Sequence, residues 1–299
     1  MTSNEWKSKG KFIQVNNNQI FVIDSFNKNS KDIHKAQKSM VILHGYPTSS
    51  YDYYKVLPEL SKNYRVILHD HLGFGFSDKP KDMYYSLIEQ ADMALKLWRQ
   101  LGLKKIYLFA HDYGTSVATE IIARHNANEL DIEIEQLIIS NGSIHIELSQ
   151  LRTIQKLLKH KFLGKYVAKL TNFLIFKKNM KNIYFDTSKV TDNELKEMWK
   201  LIELNGGRKV IHKLTQYINE RYLHWNRWIG ALKETQISTK IIWAKNDPIA
   251  VPAIAKLLAK EIPNNTLYWI ENTGHFLMLE NPKELLELIL KNNYTNKLN

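Results

Sequence analysis

The chain contains no cysteine. That single absence removes disulfide scaffolds, thiolate zinc sites, iron–sulfur clusters and cysteine nucleophiles together, and it leaves the redox compartment unreadable from thiols. Proline and glycine are sparse, 7 and 12 among 299 residues, so disordered and low-complexity classes do not fit a chain that is 44% hydrophobic. No apolar run approaches the length needed to cross a bilayer, and the opening stretch MTSNEWKSKG lacks the apolar segment of a secretory signal. A cytoplasmic location is the expectation. No internal repeat is visible, which removes solenoids and propellers, and the length suits one large α/β unit with an insertion better than two independent domains.

Acidic residues are also short in supply: 42 Lys and Arg stand against 30 Asp and Glu, a formal charge of +12. The excess is lysine, accompanied by many Asn and Ile; it permits a polyanionic partner without requiring one, and no nucleic-acid partner is expected. The imbalance is sharpest between Leu148 and Phe185, where there is no acid at all against nine cations, Arg152, Lys156, Lys159, Lys161, Lys165, Lys169, Lys177, Lys178 and Lys181. Apolar Ile154, Leu157, Leu158, Leu170, Phe173 and Leu174 recur among them at near-helical spacing. Such helices either face a membrane surface or cover a buried site while their lysines solvate the other side. Core-facing stripes are far commoner, so the second reading is the expectation and no membrane partner follows from it.

What is present is an alternation of short apolar runs with amphipathic stretches. Strands are expected at Phe12–Val15, Ile20–Asp24, Met40–Leu43, Arg65–His69, Ile106–Ala110, Gln136–Ser140, Lys240–Trp243 and Leu267–Ile270. The middle ones are continuous and β-branched, as strands covered on both faces should be. Helical patterns lie between them, at Leu87–Leu101, Thr115–His125, Ala253–Lys260 and Glu284–Leu290. The pattern predicts an α/β fold: a mostly parallel eight-stranded sheet with helices on both faces. From about Ser143 to Gly230 the strand signals vanish, which predicts a helical cap over 143–230 inserted into a core of 1–142 and 231–299.

The strongest chemical signal is Phe109-Ala110-His111-Asp112-Tyr113-Gly114, leading from an apolar strand directly into a helix. Small residues flank the apex, as a sharp strand-to-helix turn requires, and the apex residue is Asp112. There its carboxylate would be exposed at the sheet's carboxyl edge above a helix N-terminus, ionised and able to attack. Alternatively Asp112 simply caps the helix. Ser116 lies a turn too far into the helix to serve as the nucleophile of a serine esterase. Three more segments follow expected strands. His44-Gly45-Tyr46-Pro47 can turn the Tyr46 N–H toward the elbow, where with the Tyr113 N–H it would form an oxyanion hole. Asp247-Pro248 offers either an acid or an ordinary turn. Asn272-Thr-Gly274-His275 aims an imidazole back across the sheet edge. The order nucleophile, acid, histidine at 112, 247 and 275 is the one this architecture demands.

These segments, HGYPTSSYDYYKVLPEL, DHLGFGFSDKP, AHDYGTSVA, WAKNDPIAVP and NTGHFLMLENP, resemble the α/β-hydrolase superfamily, in particular its Asp-nucleophile branch of epoxide hydrolases and haloalkane dehalogenases. Within that branch the motifs are most similar to those of the mesoderm-specific transcript-like hydrolases. The resemblance spans about residues 11 to 291 and weakens between Ile144 and Asn182. It implies that Asp112 displaces a leaving group at an sp³ carbon to form an ester, and that His275, oriented by Asp247, activates the water that hydrolyses it. Some dehalogenases carry the acid after the sixth strand; here that region reads Ser140-Asn141-Gly142, and an amide cannot serve as the acid.

In the epoxide hydrolases cap tyrosines protonate the opening ring. Tyr217 matches one such position, and Tyr166 or Tyr184 would be the second; packing alone would also account for Tyr217. Dehalogenases generally place a Trp after the nucleophile for halide contact. This chain has Tyr113 there, which lowers that reading and leaves Tyr113 as the halide contact if it holds. The expected substrate is small, apolar and electrophilic, with water as co-substrate. A non-catalytic ligand-binding member of the fold is the remaining alternative. No metal or organic cofactor is implied, since the histidines are scattered and Gly73-Phe-Gly75 is not a phosphate-binding motif.

Overall fold

The computed structural model describes residues 1–26 and 38–291. Eight strands form one sheet: β1 (Lys11–Val15), β2 (Asn18–Asp24), β3 (Ser39–Leu43), β4 (Arg65–His69), β5 (Lys105–His111), β6 (Glu133–Ser140), β7 (Ser238–Ala244) and β8 (Asn265–Ile270). Their order across the sheet is β1-β2-β4-β3-β5-β6-β7-β8. β2 runs antiparallel to both β1 and β4, and every other pair is parallel. All eight expected strands are found, each extended by at most a few residues.

The central strands are apolar on both faces because helices cover both. β3 is buried throughout, as are the last four residues of β4 and β5. The Leu87–Gln100 helix begins at a capping box, Ser86 with Glu89, and buries the stripe that contains Leu87, Ala91, Ala94, Leu95 and Trp98. Pro252 and Pro282 open the helices Pro252–Glu261 and Pro282–Leu290, where a missing N–H costs nothing. The polar start of the chain is also tied down: Trp6 is buried with its indole N–H on Ser50 Oγ at 3.1 Å, and Ser3 bonds Glu197.

Between β6 and β7 the described chain is helical, as expected, with α-helices at Thr153–Leu158, Gly164–Leu170, Phe173–Lys181, Asp192–Glu203, Ile211–Leu214 and Tyr217–Leu223. Two expectations about this insertion change. Residue 230 falls inside the helix Trp225–Glu234, which packs along the core helix Tyr113–Asn126 through buried Glu120; that carboxylate holds Arg124, Arg227 and the Trp228 indole. The expected bound at 230 therefore falls within a helix and not in a loop. Nor do the apolar residues of 152–181 all turn inward: Leu158, Phe176 and Met180 are buried, whereas Leu157, Phe162, Leu170 and Leu174 stand in solvent. None of the described helices is long and apolar enough to cross a membrane.

Candidate active site

Four loops leave the carboxyl ends of β3, β5, β7 and β8 and converge above the sheet. The sharpest is at Asp112, whose backbone sits at φ 45°, ψ −111°, a conformation that side chains rarely adopt and that the surrounding structure must hold. Gly114 makes the turn possible, since a Cβ there would lie 2.3 Å from the Leu43 carbonyl oxygen of β3. On the facing side a Cβ on Gly45 would come within 3.0 Å of Asp112 Cβ. The two glycines let the β3 and β5 loops touch, and the Tyr46 N–H donates to Asp112 Oδ2 at 2.8 Å. His44 staples this loop to the next: its Nδ1 lies 2.8 Å from the Gly45 carbonyl, and its Nε2 accepts the His71 N–H at 3.0 Å.

His275 faces Asp112, with Nε2 3.9 Å from Oδ2. On its other side Nδ1 is 2.7 Å from Asp247 Oδ2. Asp247 is itself fully engaged: Oδ2 also accepts Asn141 Nδ2 at 2.7 Å, and Oδ1 accepts the Ile249 and Ala250 N–H groups at 2.7 and 3.1 Å. The His275 loop is stitched to the insertion. The His275 N–H donates to the Ile183 carbonyl at 2.8 Å, and the carboxylate of Glu280 bridges the N–H groups of Gly274 and Asp186. Gly274 has no room for a side chain, since a Cβ would sit 2.4 Å from the Ile183 oxygen.

All three residues are buried. Burial by itself would raise the Asp112 pKa, but His275 opposite, with His111 and Arg221 contributing, more than reverses this and holds it at about 2. Burial would lower His275, and the charge of Asp247 followed by Asp112 raises it to about 10 instead. At neutral pH the two form an anion and a cation across a short gap. His111, by contrast, is lowered to about 4 by burial and stays neutral beside them.

Above this pair lies a cavity of about 80 Å³. Asp112, His275 and Tyr46 reach it from the core, and Ile154, Leu158, Phe176, Met180 and Trp199 of the insertion form much of its apolar wall. Its few polar contributors, Arg152, Gln155, Thr171 and Asn179, also come from the insertion.

The expected residues Asp112, Asp247, His275 and Tyr46 thus come together. The tyrosines fare differently. Tyr217 is buried but off the cavity wall; its hydroxyl accepts Gln155 Nε2 at 3.4 Å, and its ring lies 5.6 Å from that of Tyr46. The Tyr113 side chain folds down against His71, Phe74 and Tyr217, away from the cavity, so it is not placed for halide contact; its backbone N–H stays in the first turn of the helix. Tyr166 is 55% exposed and lies off the cavity wall. Tyr184 is buried against Phe276 and, like Tyr217, lies off the cavity wall.

Two residues were not anticipated. Asn141 supports Asp247 through its amide N–H while its oxygen accepts the Ala244 N–H, tying β6 to β7. Arg221, buried on the Tyr217–Leu223 helix, reaches down to the elbow: Nη2 donates to the Asp112 carbonyl at 3.0 Å, Nε to Ser116 Oγ, and the guanidinium lies 4.9 Å from the Tyr217 ring centroid. Its spacing from Tyr217, one helical turn, is the only trace of this in the sequence.

A strand-to-helix elbow at the centre of a mostly parallel sheet, with an acid–histidine pair arriving after the last two strands, is the architecture of a hydrolase fold. Residues 38–282 match the family model described as alpha/beta hydrolase fold, and the chain belongs to that family. The mesoderm-specific transcript protein of Mus musculus is 38% identical over 288 residues, which cover 94% of this chain and 84% of that protein. Among solved structures, the epoxide hydrolase CorEH superposes with a TM-score of 0.73 at 19% identity, covering 94% of this chain and 96% of that one. The haloalkane dehalogenase DbeA from Bradyrhizobium elkani USDA94 gives 0.78 at 18%, covering 94% and 95%. At such identities these two likenesses speak for the fold alone.

Proposed function

We propose that this hydrolase acts at an electrophilic sp³ carbon through a covalent ester on Asp112, with epoxides as its substrates. The observation that carries the reading is the apex carboxylate itself: ionised, open to an apolar cavity, and faced by a histidine too far away to bond it but near enough to serve a water beside it. Asp112 attacks a ring carbon and the C–O bond breaks toward the ring oxygen. Tyr217 is the proton donor in this reading: burial keeps it protonated, and its hydroxyl, bonded to Gln155 of the cavity wall, must turn into the cavity to reach that oxygen.

Forming the ester removes the charge of Asp112, one of the two carboxylates that keep His275 protonated. Its pKa falls, it releases a proton, and it becomes the base that activates water against the ester carbonyl. The N–H groups of Tyr46 and Tyr113 hold the resulting oxyanion, while Asp247 stabilises the imidazolium as it re-forms. A core–cap division accompanies this reading, the helices between β6 and β7 forming the lid that selects substrate. Epoxides are favoured over haloalkanes because no indole follows the nucleophile and the Tyr113 side chain points away from the cavity.

The test separates the two chemical steps. In His275→Gln the ester should form and persist, so incubation with a panel of epoxides should add the full mass of one epoxide, located on the peptide containing Asp112. Haloalkanes alone labelling the protein would transfer the assignment to dehalogenation. If neither panel labels His275→Gln and wild-type protein turns over neither, the nucleophilic reading is wrong.

A further inference from the structure

The insertion carries a surface that the proposed chemistry does not use. Among the described residues, eight of the thirteen large apolar side chains that stand most exposed fall within 157–185, and Phe162, Leu170 and Leu174 are 70%, 74% and 72% exposed. They are not scattered: they interleave with cations on consecutive short helices that bury only one narrow stripe each, Leu158 on the first, Ala168 on the second, Phe176 and Met180 on the third. Of the nine cations in this stretch, only Lys177 and Lys181 reach a carboxylate among the described residues, and both reach the same one, Asp192. Lys159 extends the surface to the neighbouring helix, lying over the exposed ring of Tyr222.

We infer that this face docks the protein on an anionic lipid surface. Apolar side chains of this size gain free energy by entering the acyl boundary, and unpaired lysines around them gain by meeting anionic headgroups. Other occupants fit less well. A second copy docked face to face would set the seven cations that reach no carboxylate against their like, since Asp192 answers only Lys177 and Lys181. Nucleic acid would neutralise the lysines but offer nothing against which to bury Leu170 and Leu174. The surface is also continuous with the cavity, since Ile175 is 38% exposed on the outside and lines the cavity within. An apolar substrate dissolved in the lipid would therefore enter at the docked face without crossing water. This inference rests on the surface alone and stands apart from the identity of the nucleophile.

The test is cosedimentation of the purified full chain with phosphatidylcholine vesicles and with vesicles containing phosphatidylglycerol. Binding is expected to the second and not the first, to weaken as salt rises, and to fall by about a hundredfold in K156E/K165E/K169E, at about fivefold or more per reversed charge. The pair L170S/L174S should keep weak, salt-sensitive binding and lose what persists at high salt. All five positions are exposed and off the cavity wall, so thermal unfolding should confirm that the variants fold. Equal binding to both vesicle types, or binding to neither, would overturn the inference. So would loss of self-association in the variants without vesicle binding, or salt-dependent binding to duplex DNA that vesicles do not match.

Discussion

Pairing Asp112 with His275 makes folding stability depend on pH in a direction that can be worked out in advance. The His275 pKa is raised from 6.5 to about 10, against the lowering effect of burial, by Asp247 and Asp112. A histidine whose folded pKa exceeds its unfolded value adds stability that is fully present below pH 6.5 and is lost as pH rises through about 10. A gap of that size is on the order of 5 kcal/mol. For a chain of this length it corresponds to roughly 8 °C in melting temperature. The same interaction seen from Asp112, lowered from 3.8 to about 2, is present above pH 3.8 and lost as pH falls through 2; it is not added again. Two buried lysines act oppositely over the alkaline range: Lys79 and Lys240 are lowered to about 8 by burial, so shedding their protons favours the fold. Comparing wild type with His275→Gln at each pH cancels them. The measurement is thermal unfolding by circular dichroism at steps from about pH 6 to pH 10.5. Wild type should exceed the variant by several degrees at the acid end, with the difference closing toward the alkaline end. A difference that stays constant across the range would refute the buried imidazolium, and with it the account of how ester formation releases the base.

Two further outcomes probe the elbow from below and above. Gly114→Ala drives a Cβ into the Leu43 carbonyl, backbone against backbone, and should cost about 3 kcal/mol in urea denaturation; an unchanged midpoint would mean that the helix does not seat on β3. Arg221→Lys keeps a buried charge without the planar fork that spans Ser116 and the Asp112 carbonyl, so it should melt below Arg221→Met as well as below wild type. Single-turnover ester formation should slow in both variants; wild-type rates in both would remove Arg221 from the positioning of the nucleophile.

Strand ends were the most legible parts of this molecule. β3 through β7 are runs of β-branched and apolar residues because both faces are covered, and such runs announce themselves without an alignment. Asp112 and Asp247 each follow one and His275 follows β8, so their convergence could be read from their order. The direction of a side chain could not. Tyr113 and Asp112 are neighbours, yet one faces the core and the other the cavity, which depends on the turn at φ 45° rather than on residue type. Asn141 illustrates the same limit: an amide is no substitute for the acid, but it is a good donor to one, and only the register of β6 against β7 brings it there. In the insertion no strand anchors the reading. Rotation about each short helix decides burial, which is why Tyr166 lies outside, Arg221 reaches the elbow, and the apolar residues of 157–174 divide between cavity wall and solvent.

The stitching between the His275 loop and residues 183–186 bears on how the cavity could widen. A lid swinging as one piece would pull the Ile183 carbonyl from the His275 N–H and the Asp186 N–H from Glu280, unseating the His275 loop at every opening. An opening that spared His275 would need its pivot before Ile183, leaving the helices of 153–181 as the part free to move. Residues 183–186 would then be the fixed post on which such a gate hangs.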